Sequence, residues 1–108
     1  MSDVVVVGSG VAGISCALTL LEKGISVTII TKARAVDSTT WYAQGGVASA
    51  MFSDDSASSH YEDTVTAGVG LCNSDAVDTL VSEGATALKR LIKRGAQFDR
   101  LDNGEYAR

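Results

Sequence analysis

"DVVVVGSGVAGISCALTLLEKGISVTIITK", Asp3 to Lys32, is the stretch that decides the fold. Its unbroken β-branched run, Val4 to Val7, lacks the alternation of a half-solvated strand and suits a central strand buried on both faces of a parallel sheet. Gly8, Gly10 and Gly13 follow at once. Beyond them Ile14, Ala17, Leu18 and Leu21 fall at i, i+3, i+4 and i+7, which predicts one apolar helical stripe, with Gly24 placed to stop the helix. Val27 to Ile30 predicts a second strand. In such a β-α-β unit each glycine has a physical task. Gly8 makes the tight turn, Gly10 lets backbone approach a pyrophosphate, and Gly13 permits close helix-to-strand packing. The helix N-terminus then offers free N–H donors and the positive end of its dipole to phosphates.

A lone GxGxxG is weak evidence, because glycine is common at strand-to-helix turns. Here it follows one predicted element and opens another, which is the context that dinucleotide binding requires. A merely structural turn is the competing reading. The acidic residue that usually binds ribose hydroxyls is missing, since the end of the second strand carries Thr31 and Lys32. The ribose would be held there by a hydroxyl, by backbone or by the Lys ammonium, so this unit alone does not fix the cofactor.

Just after Lys32 the chain leaves the carboxyl edge of the sheet, where ligands of open α/β folds bind. It runs into "STTWYAQGGVASA", Ser38 to Ala50. Ser38, Thr39, Thr40 and Gln44 offer donors and acceptors suited to the polar edge of a planar ring, and Gly45 and Gly46 let backbone N–H groups approach without a Cβ in the way. A polar surface loop leading into small residues is the other reading of the same composition.

The bulk numbers bound the rest. A chain of 108 residues, 45% hydrophobic and 20% charged, is one small globular domain. A net charge of -4 argues against a nucleic-acid partner, whose phosphates demand clustered cations. The basic run "KRLIKR", Lys89 to Arg94, reads as a helix C-terminus complementing its own dipole. No apolar run approaches a membrane span and no charged n-region precedes the valines, so a cytoplasmic protein is expected. Cys16 and Cys72 stand far apart with one His in the chain, which predicts reduced, packed thiols and no metal site.

Farther along, Ser59 and Glu62 form an S-x-x-E capping box for a short helix that Gly68 and Gly70 would end. Asn73 or Ser74 with Asp75 starts another, with Val77, Leu80, Val81, Gly84 and Leu88 on one face, extended by Leu91 and Ile92 before Gly95. His60 and Glu62, two apart, do not share a helical face, which disfavours an acid–base pair. "AQFD", Ala96 to Asp99, opens a possible strand, and "DNGE", Asp102 to Glu105, reads as a hairpin turn.

Taken in order, "GSGVAG", "TK", "STTWYAQGG" and "SHYEDTVTAGVGLC" resemble the N-terminal part of the L-aspartate oxidase family, within the fumarate reductase and succinate dehydrogenase flavoprotein superfamily. The resemblance runs over essentially the whole chain. It implies a partial Rossmann-like FAD-binding domain: an α/β fold in which a β-α-β unit is followed by helices and the parallel sheet is incomplete. It also implies FAD as the cofactor and oxidation of L-aspartate to iminoaspartate by hydride transfer, with fumarate or oxygen as acceptor, on the route to quinolinate and NAD. The family uses a serine or threonine followed by lysine at the end of the second strand, which Thr31 and Lys32 match.

Carried over by position, Gly8, Ser9, Gly10, Val11, Ala12 and Gly13 would lie along the pyrophosphate, with Thr31 and Lys32 near the adenosine half. Ser38, Thr39, Thr40, Trp41, Tyr42, Ala43, Gln44, Gly45 and Gly46 would line the flavin and ribityl chain. Thr39 stands where the fumarate reductase branch has the His that is covalently attached to flavin, so the FAD is expected to be non-covalent. Gln44, in place of the glutamate common in that branch, points the same way. The family's catalytic groups lie beyond the position of Arg108, so no catalytic residue is expected here.

Residues 1–108 would then be the N-terminal part of an FAD-binding domain, without the substrate-capping and helical domains, and inactive alone. It would associate with the missing part of its domain or with itself, and with neither membrane nor nucleic acid. A piece of a fumarate reductase or succinate dehydrogenase-type flavoprotein, and a non-catalytic dinucleotide-binding or interaction module, are the alternatives.

Overall fold

The computed structural model describes residues 1–43 and 46–107. The chain divides into two compact units, Met1–Gly46 and Val47–Arg108.

The first unit is the expected β-α-β turn. Strand β1 (Val4–Val7) pairs in parallel with β2 (Val27–Ile30), Val4 opposite Val27 and Val7 opposite Ile30. Helix α1 (Val11–Leu21) crosses between them. Its end is a Schellman closure, in which Gly24 at φ +75 lets its own N–H reach the Leu21 carbonyl and the Ile25 N–H reach that of Leu20.

Two details differ from the periodicity. The buried line of α1 centres on Ala17, 3% exposed, with Gly13 and Leu20 half-buried beside it, while Ile14 and Leu21 are exposed. Gly13 has no side chain to score as apolar, yet a Cβ there would press on the Gly8 carbonyl and on Val6 of β1, so it belongs to the contact face. Burial of the strands on both faces is not found: Val4 and Val6 of β1 and Val27 of β2 are half-buried, while Val5, Val7, Thr28, Ile29 and Ile30 are exposed, because this sheet has two strands and α1 is the helix packed on it.

Between β2 and Gly46 the chain makes one short helical turn, α2 (Thr39–Tyr42), where composition suggested an unpatterned loop. Ser38 caps it, its Oγ accepting the Trp41 N–H at 3.2 Å.

The second unit is a helical pair. Helix α3 (Ala57–Ala67) is capped three residues before the expected Ser59, by Ser56, which accepts the Ser59 N–H at 3.0 Å. It ends at Gly68, and Gly70 turns the chain at φ +83. Helix α4 (Ser74–Lys93) is capped by Asn73, whose Oδ1 accepts the Ala76 N–H at 3.0 Å. Val77 and Val81 are buried on its inner stripe, and Leu80, at the stripe's edge, is exposed. Gly95 at φ +100 closes α4 by the same two bonds that close α1. Ala96 to Asp99 forms no strand; Arg100 and Tyr106 make a single antiparallel bridge around a turn with Gly104 at φ +85.

Candidate functional site

The glycine turn lies at the carboxyl edge of the sheet. The Gly8 N–H donates to the Ile30 carbonyl at 2.8 Å, which extends the parallel ladder one residue past β1. Gly8 then turns at φ +107, a conformation that side chains rarely adopt. A Cβ on Gly13 would stand closer than 3.0 Å to the Gly8 carbonyl oxygen and 3.4 Å from Val6 Cγ1, so the helix start presses directly on the turn. Gly10 caps α1 with extended backbone and no side-chain bond, and its carbonyl accepts the Ile14 N–H at 3.0 Å. The N–H groups of Ala12 and Gly13 meet no acceptor among the described residues. Two unclaimed donors at a helix N-terminus, with glycine at the cap position, fit a dinucleotide diphosphate.

Ser9 is the one buried polar side chain among the described residues, at 7% exposed. Its Oγ donates to Thr31 Oγ1 at 3.3 Å, tying the glycine turn to the end of β2. Thr31 is therefore partly committed to the scaffold, with its own hydroxyl proton still to donate. Lys32 is exposed and makes no ion pair among the described residues.

Thr40 brings the two candidate segments together. Its Oγ1 accepts the Val11 N–H at 3.0 Å, so α2 sits against the first donor of α1. A Cβ on Gly10 would meet that same oxygen at 3.3 Å. Thr39, Trp41, Tyr42 and Ala43 follow the same turn and are exposed, whereas Ser38 is half-buried as its cap. Gln44 and Gly45 lie outside the described residues. At Gly46 a Cβ would meet open space.

Sequence reasoning missed the residues that shape this turn. Asp37 receives Arg34 Nε and Nη2, each at 3.0 Å, and its Oδ1 accepts the Tyr42 hydroxyl at 3.0 Å. Arg34, then Tyr42, holds its carboxyl below the usual aspartate range. The available signal was Arg and Asp at i, i+3 just before the cap.

The model of the FAD binding domain family matches residues 3–108. The chain belongs to the FAD-binding domain family. An L-aspartate oxidase of Streptomyces coelicolor is 50% identical over 106 residues, 98% of this chain and 18% of that protein. An L-aspartate oxidase of Mycobacterium leprae is 45% identical over 98% of this chain and 21% of its own length. Among solved structures, the quinol fumarate reductase FrdA of E. coli superposes with a TM-score of 0.87 at 30% identity, covering 98% of this chain and 18% of that one. This FAD-binding domain chain thus spans about a fifth of the length of the curated relatives it matches, and its cofactor is FAD.

The FAD-binding domain chain carries further features outside the glycine turn in sequence. Among the described residues no cluster of metal-ligating side chains forms, and no helix is long and apolar enough to cross a membrane. His60 Nδ1 and Ser49 Oγ are buried without a hydrogen-bond partner among the described residues. Both cysteines are free; Cys72 is half-buried, but Cys16 is exposed rather than packed. A hollow of about 620 Å³ is lined by Ile92, Phe98, Asp99, Arg100 and Tyr106. Its Arg100 is already occupied, stacked 4.1 Å over the Tyr106 ring and bonded to the Gly104 carbonyl and the Tyr106 hydroxyl.

Proposed function

We propose that the chain is the N-terminal FAD-binding portion of an L-aspartate oxidase, which oxidises L-aspartate to iminoaspartate. In this reading residues 1–108 open the FAD-binding domain, and the substrate-capping and helical domains, with the catalytic groups, belong to other parts of the polypeptide. The single observation that carries it is the 50% and 45% identity to L-aspartate oxidases over nearly the whole chain, against 30% to the fumarate reductase flavoprotein.

Each segment then has a task. The N–H groups of Ala12 and Gly13 donate to diphosphate oxygens, and Gly10 keeps the approach clear. Lys32, exposed at the end of β2, lies toward the adenosine half. Thr39 and Thr40 on α2, with Gln44, Gly45 and Gly46 beyond it, line the ring and ribityl chain. When bound, FAD supplies the hydride acceptor: the substrate loses a hydride from its α-carbon and a proton from its amine, and the C–N bond becomes an imine. Thr39 offers no imidazole for a covalent link, so FAD is held non-covalently.

The experiment is anaerobic addition of L-aspartate to the complete FAD-loaded protein that contains this chain, followed by flavin absorbance. Bleaching by L-aspartate, with FAD released into the supernatant on acid precipitation, supports the reading. No bleaching overturns it. The second reading, a fumarate reductase-type flavoprotein, is favoured by the TM-score of 0.87 to FrdA; it requires that the reduced protein be reoxidised by fumarate while L-aspartate leaves the oxidised flavin unchanged.

A further inference from the structure

The segment that carries the candidate flavin contacts has little hydrophobic anchorage. Val36, Trp41 and Tyr42 are all exposed, as are Arg34, Ala35, Thr39 and Thr40. Order in such a segment must come from polar contacts, because nothing else offsets the entropy of fixing its backbone. Two consecutive turns meet at the Asp37–Ser38 peptide. The first is closed by the Asp37 N–H on the Arg34 carbonyl at 2.9 Å, and the second by the Tyr42 N–H on the Ser38 carbonyl at 3.2 Å.

We propose that Asp37 is a positioning residue for the FAD loop: its carboxylate ties Arg34, which opens the first turn, to Tyr42, which closes the second. That clasp fixes the angle between the turns and so holds Thr40 Oγ1 on the Val11 N–H at 3.0 Å. The paired guanidinium bonds define a plane, and the Tyr42 hydroxyl adds a third bond from the far end of the loop. Without the carboxylate the turns are joined by the local backbone alone, the Asp37–Ser38 peptide and the Ser38 N–H on the Val36 carbonyl at 2.9 Å, and the angle between them loosens. Asp37 touches no cofactor in this scheme; it acts through Thr40 and its neighbours, by reducing the ordering that FAD binding must otherwise impose. The consequence for FAD rests on the reading under Proposed function, whereas the clasp itself does not.

An exposed ion pair contributes little to global stability, so the effect is local and separable from folding. Trp41, the single tryptophan of the chain, lies inside the clasped segment and reports on it directly. The experiment compares Asp37→Ala, Asp37→Glu and Tyr42→Phe with the parent chain by Trp41 fluorescence anisotropy, far-UV circular dichroism and FAD titration. The expected result is lower Trp41 anisotropy in Asp37→Ala with unchanged helical signal, a rise in the FAD dissociation constant on the order of tenfold, partial recovery in Asp37→Glu and a smaller loss in Tyr42→Phe. Unchanged Trp41 anisotropy in Asp37→Ala overturns the clasp. Failure of the parent chain to bind FAD instead counts against the FAD assignment of this segment and leaves the tryptophan measurement to decide the clasp by itself.

Discussion

Gly8 and Gly13 are in such close approach that a Cβ on Gly13 would fall within 3.0 Å of the Gly8 carbonyl oxygen. The obstacle is backbone, which cannot swing aside as a side-chain tip can. Gly13→Ala therefore forces α1 away from β1, an overpacking cost of about 1–3 kcal/mol, read as a lower urea midpoint.

Gly10 separates binding from folding. Among the described residues a Cβ there meets only the Thr40 hydroxyl, at 3.3 Å, and Gly10 is the cap of α1, where the diphosphate is proposed to lie. Gly10→Val is expected to leave the far-UV spectrum close to the parent's. It should weaken FAD by at least about tenfold, or about 1.4 kcal/mol, as measured by flavin fluorescence. Parent-like FAD affinity would remove the diphosphate from this turn.

In the second unit a Cβ on Gly68 would come within 3.0 Å of Cys72 Sγ, a thiol that donates to the Thr64 carbonyl at 3.6 Å. Gly68→Ala is expected to destabilise by about 1–3 kcal/mol. Cys72→Ala removes the obstructing sulfur, so the double variant should lose less than the sum of the two single changes. Strict additivity in urea unfolding would show that the two groups do not meet.

How much of this was legible depends on the carrier of the signal. Strands at Val4–Val7 and Val27–Ile30, the glycine turn and a helix start at Asn73 or Ser74 were readable, because hydrophobic runs and cap chemistry are local; the structure selects Asn73 as the cap. The true face of α1 was not, since Gly13, which belongs to it, carries no hydrophobic mark. The α3 cap was misplaced because Ser56, Ser58 and Ser59 are chemically equivalent in sequence, and only backbone conformation selects Ser56. The composition of Ser38–Gly46 was similarly silent about α2, whose order comes from the Ser38 cap, from Asp37 and from Thr40 reaching a donor 29 residues back in the chain.

Val7 tests whether the open face of the sheet is a contact surface in the longer protein. At 83% exposed it buries almost nothing, so Val7→Thr, which keeps the β-branch, should change the stability of this chain by less than about 0.5 kcal/mol. In the complete protein proposed above, the added hydroxyl would be buried without a partner, at a cost of about 1–3 kcal/mol. Thermal unfolding of both forms reads the difference; equal shifts would show that this face stays solvated.

Acid should undo the clasp in a defined window. The groups facing the Asp37 carboxylate are the Arg34 guanidinium and the Tyr42 hydroxyl, and Arg34, the larger cause, holds the carboxyl below its ordinary value of 3.8. A group whose folded pKa is depressed lends order that is fully present above its unfolded pKa and is lost as pH falls through the folded one. Trp41 anisotropy is therefore expected to hold from neutral pH down to the ordinary aspartate range and to fall only below it. Asp37→Asn carries no titrating carboxyl at this position, so its anisotropy should lack that acid step. Salt should lower the parent's signal at neutral pH toward that of Asp37→Asn, because Arg34 is 79% exposed and its attraction to Asp37 is screened. An identical acid step in both chains would assign the transition to other carboxylates and remove Asp37 from the ordering of the loop.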